Sequence, residues 1–265
     1  MEWELIANFN FLSTELKHVE IFNLLNQPFD DKGAFITITA VNNDLDSHDW
    51  VHMLLRMYSK WSENHYSKIR LVDETLGEFG GFEYAILEIS GKYAYGYLKS
   101  EQGIHQLKRI SPFSRNSTIQ TSFAKVEVIP IVDESINFEI PEKDLEITRG
   151  KHSLMRGPSA LVKVTHLPTA ISITCTEGRS QSANLEKALA VIKSKLFSMQ
   201  IQGVSLKDVK KPSSKNLVNN PIREYIFHPY PKVKDLRTNV ETSNIEEVMK
   251  GNLDLFTKTY LKQTH

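Results

Sequence analysis

The chain carries a single cysteine, Cys175, in 265 residues. A disulfide framework and a Cys-based zinc site are both excluded, and the composition suits a reducing compartment. Long apolar runs are missing too. None approaches the roughly 20 residues of a membrane span, so no membrane partner is expected. Net charge is absent, with 32 basic residues balancing 32 acidic ones, so overall charge names no partner. Internal repeats and low-complexity tracts are lacking. Met1 to Leu25 has acidic residues and no Arg-rich amphipathic pattern, so it does not read as a targeting peptide.

What is present is more informative. Hydrophobic residues make up 40% of the chain, enough for a sizeable core. Charge is unevenly spread: Glu142 to Lys215 holds 13 basic and 6 acidic side chains. That excess points the middle of the chain toward something anionic, or else toward a solvated basic face.

Periodicity predicts a short helix within Met1 to Leu25 and a strand over Ala34 to Val41. A helix is expected over Ser47 to Glu63, because Trp50, Leu54, Met57 and Trp61 recur at three- and four-residue spacing. Strands are predicted around Ile69–Val72, Tyr84–Ile89 and Phe123–Ile129, with Gly77, Gly80 and Gly81 marking a turn. Short strands at Leu145–Ile147, Leu161–Thr165 and Ile171–Thr176 precede a long helix with the stripe Leu185, Leu189, Ile192, Leu196 and Met199. Val204 to Asn220 is basic and aperiodic and reads as a loop. The tail shows a strand-like stretch, Glu224–Phe227, and two short helices split by Gly251.

Several stretches, in order, resemble the bacterial-type class I peptide chain release factors that read UGA and UAA. They are Asp49-Trp50, Leu55-Arg56-Met57-Tyr58, the run Ile89 to Lys99, Gly103-Ile104-His105, Ser111-Pro112-Phe113 and Thr121-Ser122-Phe123. Thr165 to Thr169, Arg179-Ser180-Gln181 and Lys234 to Thr238 continue the set. The resemblance implies an α+β release-factor fold: a mixed β-sheet codon-reading unit plus a smaller α+β unit. The expected division is 1–25 as a remnant of an N-terminal helical domain, 26–141 with 221–265 as the codon-recognition-like unit, and 142–220 as the peptidyl-tRNA-hydrolase-like unit ending in a basic loop.

The family's Gly-Gly-Gln tripeptide is absent. In the family its glycines allow backbone angles that other residues resist, and a backbone N–H at the Gln stabilises the developing oxyanion. Here Asp144 to Ile147 and Leu161 to His166 match the flanking strands. Thr148 to Ala160 between them is shorter than the family's segment, so the catalytic loop reads as deleted. His152 and Ser153 are the conceivable substitutes, with no nearby acid to position the histidine.

In the family, Ser111-Pro112-Phe113 would sort the second and third codon bases. A stacking histidine of the family is replaced by Gln120, before Thr121, and an amide stacks less well than a ring. A glycine-rich turn is replaced by Asn43-Asp44-Leu45-Asp46, whose side chains and charge are expected to oppose close contact with RNA. The codon-recognition-like candidates are therefore Ser111, Pro112, Phe113, Gln120 and Thr121. The RNA-binding candidates are Arg149, Lys151, Arg156, Lys163, Arg179, Lys187, Lys193, Lys195, Lys210 and Lys211. Tyr93, Tyr95 and Tyr97 are either base-stacking residues or alternating sheet core.

From this follows the expectation of a catalytically inactive release-factor-like protein, not an enzyme, that binds RNA or the ribosome and regulates messenger stability or translation. The alternative is a termination or ribosome-rescue factor promoting peptidyl-tRNA hydrolysis at UGA or UAA. Cytoplasm or plastid stroma is expected. No cofactor is expected, and no metal, although His48 and His52 at i and i+4 echo a zinc-helix motif.

Overall fold

The computed structural model describes residues 23–65, 68–78, 80–133, 136, 138–150, 160–176, 178, 180–203 and 220–264. The predicted N-terminal helix and the basic stretch Val204 to Asn220 lie almost wholly outside the described residues.

In chain order the elements are β1 (Ala34–Ala40), α1 (Leu45–His65), β2 (Lys68–Leu76), β3 (Phe82–Ser90), α2 (Ala94–Leu98), β4 (Gly103–Ile110) and β5 (Ile119–Pro130). Then come β6 (Leu145–Arg149), β7 (Val162–His166), β8 (Ile171–Cys175) and α3 (Gln181–Ile201). The tail adds β9 (Pro221–Ile226), β10 (Lys232–Asp235), β11 (Glu241–Thr242), α4 (Ile245–Met249) and α5 (Asp254–Thr264). Eight strands form one sheet in the order β11-β10-β9-β4-β5-β1-β3-β2, and β6-β7-β8 form a second. Every pairing is antiparallel except β4 with β9.

Strand alternation sorts the core into two layers. Ile36 and Ile38 of β1, Ala85 and Leu87 of β3, and Val126 and Val128 of β5 face one side, where α1 inserts Trp50, Leu54, Met57, Tyr58 and Trp61. Phe35, Val72 and Ile86 face the other side, where Val164 and Ile173 of the small sheet and Ala188, Val191, Ile192 and Leu196 of α3 close a second core.

Local chemistry fixes the helix ends. Asp44 accepts the Ser47 N–H at 2.8 Å and the Ser47 hydroxyl at 3.1 Å, capping α1. Ser180 accepts from Ala183 N at 3.2 Å to open α3. Gly251 sits at φ 92° between α4 and α5, and a Cβ there would lie 2.3 Å from Trp61 N, so only glycine lets this turn press on α1.

One sequence reading is corrected by the fold, and two strands are added to it. Tyr93, Tyr95 and Tyr97 are not sheet residues: Tyr95 and Tyr97 lie on α2 and Tyr93 precedes it with φ 66°. Their side chains pack partly buried, Tyr95 and Tyr97 against the main core and Tyr93 beside Leu25 and Leu261. Strand β4 went unread because Ile104 to Leu107 are buried on both faces and two of the four are the polar His105 and Gln106, so no apolar alternation shows. Strand β10 went unread because lysines alternate with its two inward residues, Val233 and Asp235.

Candidate functional site at the Ser-Pro-Phe loop

The loop between β4 and β5 begins at Ser111, whose N–H donates to the Thr118 carbonyl at 3.0 Å. Ser111 is buried, while Pro112 and Phe113 are exposed. The Ser111 hydroxyl donates to Asp46 Oδ2 at 2.7 Å and accepts the Phe113 N–H at 3.2 Å. Arg109 reaches Asp46 Oδ1 at 3.3 Å and Asp49 Oδ2 at 2.6 Å. Its guanidinium also lies 5.8 Å from the centre of the Phe113 ring. The first turn of α1 thus grips the loop and leaves the Phe113 ring facing outward.

Gln120 and Thr121 open β5 opposite Arg109 and Lys108, and both are exposed. All five codon-recognition-like candidates therefore belong to one hairpin end. The acidic replacement at Asn43 to Asp46 looks different in the structure from its reading in the sequence. Asp44 is used as a helix cap, and Asp46 is engaged by Ser111 and Arg109, so neither is a free anion facing outward.

At the other end of β4 from the loop lies a buried polar network. Arg223 holds Glu101 through two bonds of 2.6 and 2.8 Å and reaches Asp235 at 3.2 Å, with all three side chains fully inaccessible. Asp235 also accepts from Arg237 N at 3.0 Å, Arg237 Nη2 at 2.8 Å and Thr238 N at 3.3 Å. This is why Lys234 to Thr238 forms a recognisable motif: Asp235 ties the tail to the sheet. The Arg223 and Arg237 guanidiniums lie over Phe256 and Tyr260, at 4.4 and 4.1 Å.

His105 connects this network to α1. Its Nε2 donates to the Glu101 carbonyl at 2.9 Å, its Nδ1 faces the Tyr225 hydroxyl at 3.3 Å, and its own carbonyl accepts from Trp50 Nε1 at 3.0 Å. Burial pushes the imidazole down to about 4, so it is neutral at physiological pH. Burial alone would raise Glu101, but the charge and hydrogen bonds of Arg223 hold its carboxyl below the usual range.

Models of two families match: the PCRF domain over residues 2–126 and the RF-1 domain over residues 134–237. The chloroplastic peptide chain release factor PrfB1 of Arabidopsis thaliana is 41% identical over 263 residues, which cover 96% of this chain and 58% of that protein. Peptide chain release factor 2 of Thermosipho africanus is 41% identical over 257 residues, covering 94% of this chain and 70% of that protein. The chain belongs to the peptide chain release factor family. RF2 of Thermus thermophilus superposes with a TM-score of 0.83 at 31% identity, over 98% of this chain and 77% of that one. The resemblance and the fold class read from the sequence are both borne out.

The expectation that this release-factor chain is not an enzyme is overturned by those relatives, which are named as peptide chain release factors across almost its whole length. The sequence reading equated a missing tripeptide with missing chemistry. Yet oxyanion stabilisation draws on backbone N–H groups, which every residue but proline supplies. Messenger stability likewise finds no support among these relatives; the termination alternative fits them better.

Among the described residues, the basic candidates of this release factor do not converge on one patch. Arg149 and Lys163 are exposed on neighbouring strands, but Thr148 pairs with Lys163 and Arg149 with Val162, so the two cations point to opposite faces. Lys187 lines a cleft of about 290 Å³ together with Arg70 and Glu88. Lys193 lines a wider groove beside Glu142 and Glu186. Lys195 is drawn to Glu127 at 3.6 Å, where Lys125 also binds. Lys151, Arg156, Arg179, Lys210 and Lys211 lie outside the described residues.

His48 is buried against Gly77 with neither ring nitrogen hydrogen-bonded, whereas His52 packs edge-on to Phe82 at 5.4 Å. Among the described residues no group of three or more His, Cys, Asp or Glu is arranged to hold a metal ion. No helix among them is long and apolar enough to cross a membrane. Sequence reasoning missed Asp46 and Arg109 as supports of the loop, and the buried Glu101–Arg223 pair that ties the tail to the sheet. For Arg223 the sequence held no signal, because its strand Pro-Ile-Arg-Glu-Tyr-Ile lacks apolar alternation.

Proposed function

We propose that this chain acts on the ribosome in translation termination and promotes peptidyl-tRNA hydrolysis at UGA and UAA. The observation that carries this reading is the Ser-Pro-Phe loop, held by Asp46 and Arg109 on a hairpin of a fold shared with release factors. Ser111 gives its only proton to Asp46 and one lone pair to Phe113 N, so it can meet a codon base only as an acceptor. An exocyclic amino group is the matching partner. The exposed Phe113 ring offers packing, and Gln120 and Thr121 offer further hydrogen bonds at the same end.

In this reading residues 26–141 and 221–265 form the codon-recognition unit, and 142–220 form the unit that meets the peptidyl-tRNA. Arg149, Lys163, Lys187 and Lys193 contact ribosomal RNA phosphates. The compartment is the plastid stroma or the cytoplasm; one relative is chloroplastic and the others bacterial. The segment Thr148 to Ala160 stands where the family has Gly-Gly-Gln, so it carries whatever the chain contributes to hydrolysis.

Purified protein is mixed with ribosomes holding peptidyl-tRNA in the P site and UGA, UAA, UAG or a sense codon in the A site. Peptide release above the sense-codon background is expected at UGA and UAA but not at UAG. His152→Ala and Ser153→Ala are run beside the wild type to locate the hydrolytic groups. Background release at every codon by a protein that sediments with the ribosomes would overturn the proposal.

A further inference from the structure

A second surface adjoins the Ser-Pro-Phe loop. A groove of about 410 Å³ runs between α1 and α4, floored by Met53, Phe227, Ile245 and Met249. Its rim carries Arg56, Lys60 and Lys250 against one carboxylate, Glu246. Met53 belongs to both places: it lines the groove, and its sulfur lies 3.4 Å from Arg109 Nη1, the group that sits over Phe113. Phe227 follows β9 directly, with its N–H bonded to the Lys108 carbonyl at 2.8 Å. The loop beyond it exposes Tyr230, which is 82% accessible.

We propose that this groove binds a nucleotide of single-stranded RNA, the base resting on the Met53, Phe227 and Met249 floor and the phosphates on the cationic rim. An apolar floor with cations at its edge matches a nucleotide, which pairs a π-face with a negative charge. Lys60 and Lys250 contact Glu63 and Glu247 at 2.7 and 3.1 Å, but both pairs are exposed and join residues three apart in sequence. Such pairs are weak and exchange readily for a phosphate. Arg56 is exposed and has no ion pair among the described residues, so its guanidinium is already available. The exposed Tyr230 supplies a further stacking face on the hairpin that leads out of the groove.

This inference rests on the termination reading, because it places the bound RNA next to the codon. The full chain is titrated against a fluorescein-labelled oligouridylate of about 12 nucleotides, which contains no stop triplet. Arg56→Glu and Lys250→Glu should each weaken binding about tenfold and lower the salt slope by about 0.7 for each phosphate left without its cation. Lys143→Glu, an exposed cation outside the groove, should change it less than about twofold. Unchanged binding by both groove variants, or an equal weakening in Lys143→Glu, overturns the proposal. So does a groove variant that keeps its RNA affinity but no longer binds a ribosomal protein. Sedimentation of the wild type with ribosomes is measured in parallel. If that fails, the termination reading falls while the oligonucleotide titration still decides the groove.

Discussion

Ser111 donates its hydroxyl proton to Asp46 across 2.7 Å, joining the tip of a β-hairpin to the first turn of a helix 65 residues away in sequence. Asp46 sits where helix polarity favours a carboxylate, and Arg109 binds its other oxygen. The loop is therefore held from one side by Asp46, while Asp49 binds the same Arg109 guanidinium at 2.6 Å. Asp46→Ala should lower stability by about 1–2 kcal/mol, the usual cost of losing charge-assisted bonds of this kind. Codon discrimination should fall further than stability does, since a freed Ser111 hydroxyl can donate as well as accept. Release rates at UGA and UAG, with urea melts beside them, check both effects.

The Arg223–Glu101 pair is buried without solvent contact. Removing one partner leaves an uncompensated charge, so Arg223→Met and Glu101→Leu should each destabilise by about 3–5 kcal/mol. The double substitution should cost clearly less than the two singles added. Equilibrium unfolding of the four proteins gives the coupling directly, and strict additivity would contradict the assignment.

Stability should fall on mild acidification because of His105. Its folded value, about 4, lies below the ordinary 6.5, so burial favours the neutral ring. That contribution is complete above pH 6.5 and is lost as pH falls from 6.5 toward 4, where the unfolded chain takes up a proton that the folded chain refuses. The integrated loss is about 3 kcal/mol. Denaturant midpoints between pH 7.5 and 4 should track this fall, and His105→Gln should flatten it. The carboxylates of Glu101 and Asp235, held low in the fold, add their own losses only at more acidic pH.

Asp73 joins the two sheets: its Oδ2 accepts from Thr174 N at 3.0 Å and from the Tyr84 hydroxyl at 3.3 Å. Burial raises its carboxyl above the ordinary value, so ionisation near neutral pH opposes folding. Asp73→Asn keeps an acceptor and removes the charge, and should be neutral or mildly stabilising at pH 7. Asp73→Ala should cost about 1–3 kcal/mol by stranding the Thr174 N–H. Amide exchange at Thr174 separates the two: fast in the alanine variant and protected in the asparagine variant.

Much of this architecture was legible in the sequence wherever apolar spacing was regular. The Trp50 to Trp61 spacing marked α1 within two residues at each end, and the Leu185 to Leu196 stripe marked α3. Legibility failed where burial is polar. His105, Arg223 and Asp235 occupy inward positions on their strands, and their alternation carries no hydrophobic signal. Of the candidate site, Ser111 to Phe113 was readable as a motif, but Asp46 was read as a repulsive charge. Only the fold brings Arg109 and Ser111 to it. The catalytic reading failed for another reason: it inferred lost chemistry from the absence of one tripeptide, while the relatives that match almost the whole chain are named as release factors.

The parallel seam between β4 and β9 has a cost in time. Its two strands are separated by the whole of the small sheet and α3, and β9 must be inserted beside β4 before β10 and β11 can add to the edge. During synthesis β4 waits as an open edge, with His105 lacking Tyr225 and Glu101 lacking Arg223, until Pro221–Ile226 leaves the exit tunnel. A messenger cut short before that codon would yield not a weaker version of the protein but an adhesive fragment, prone to pairing with its own copies.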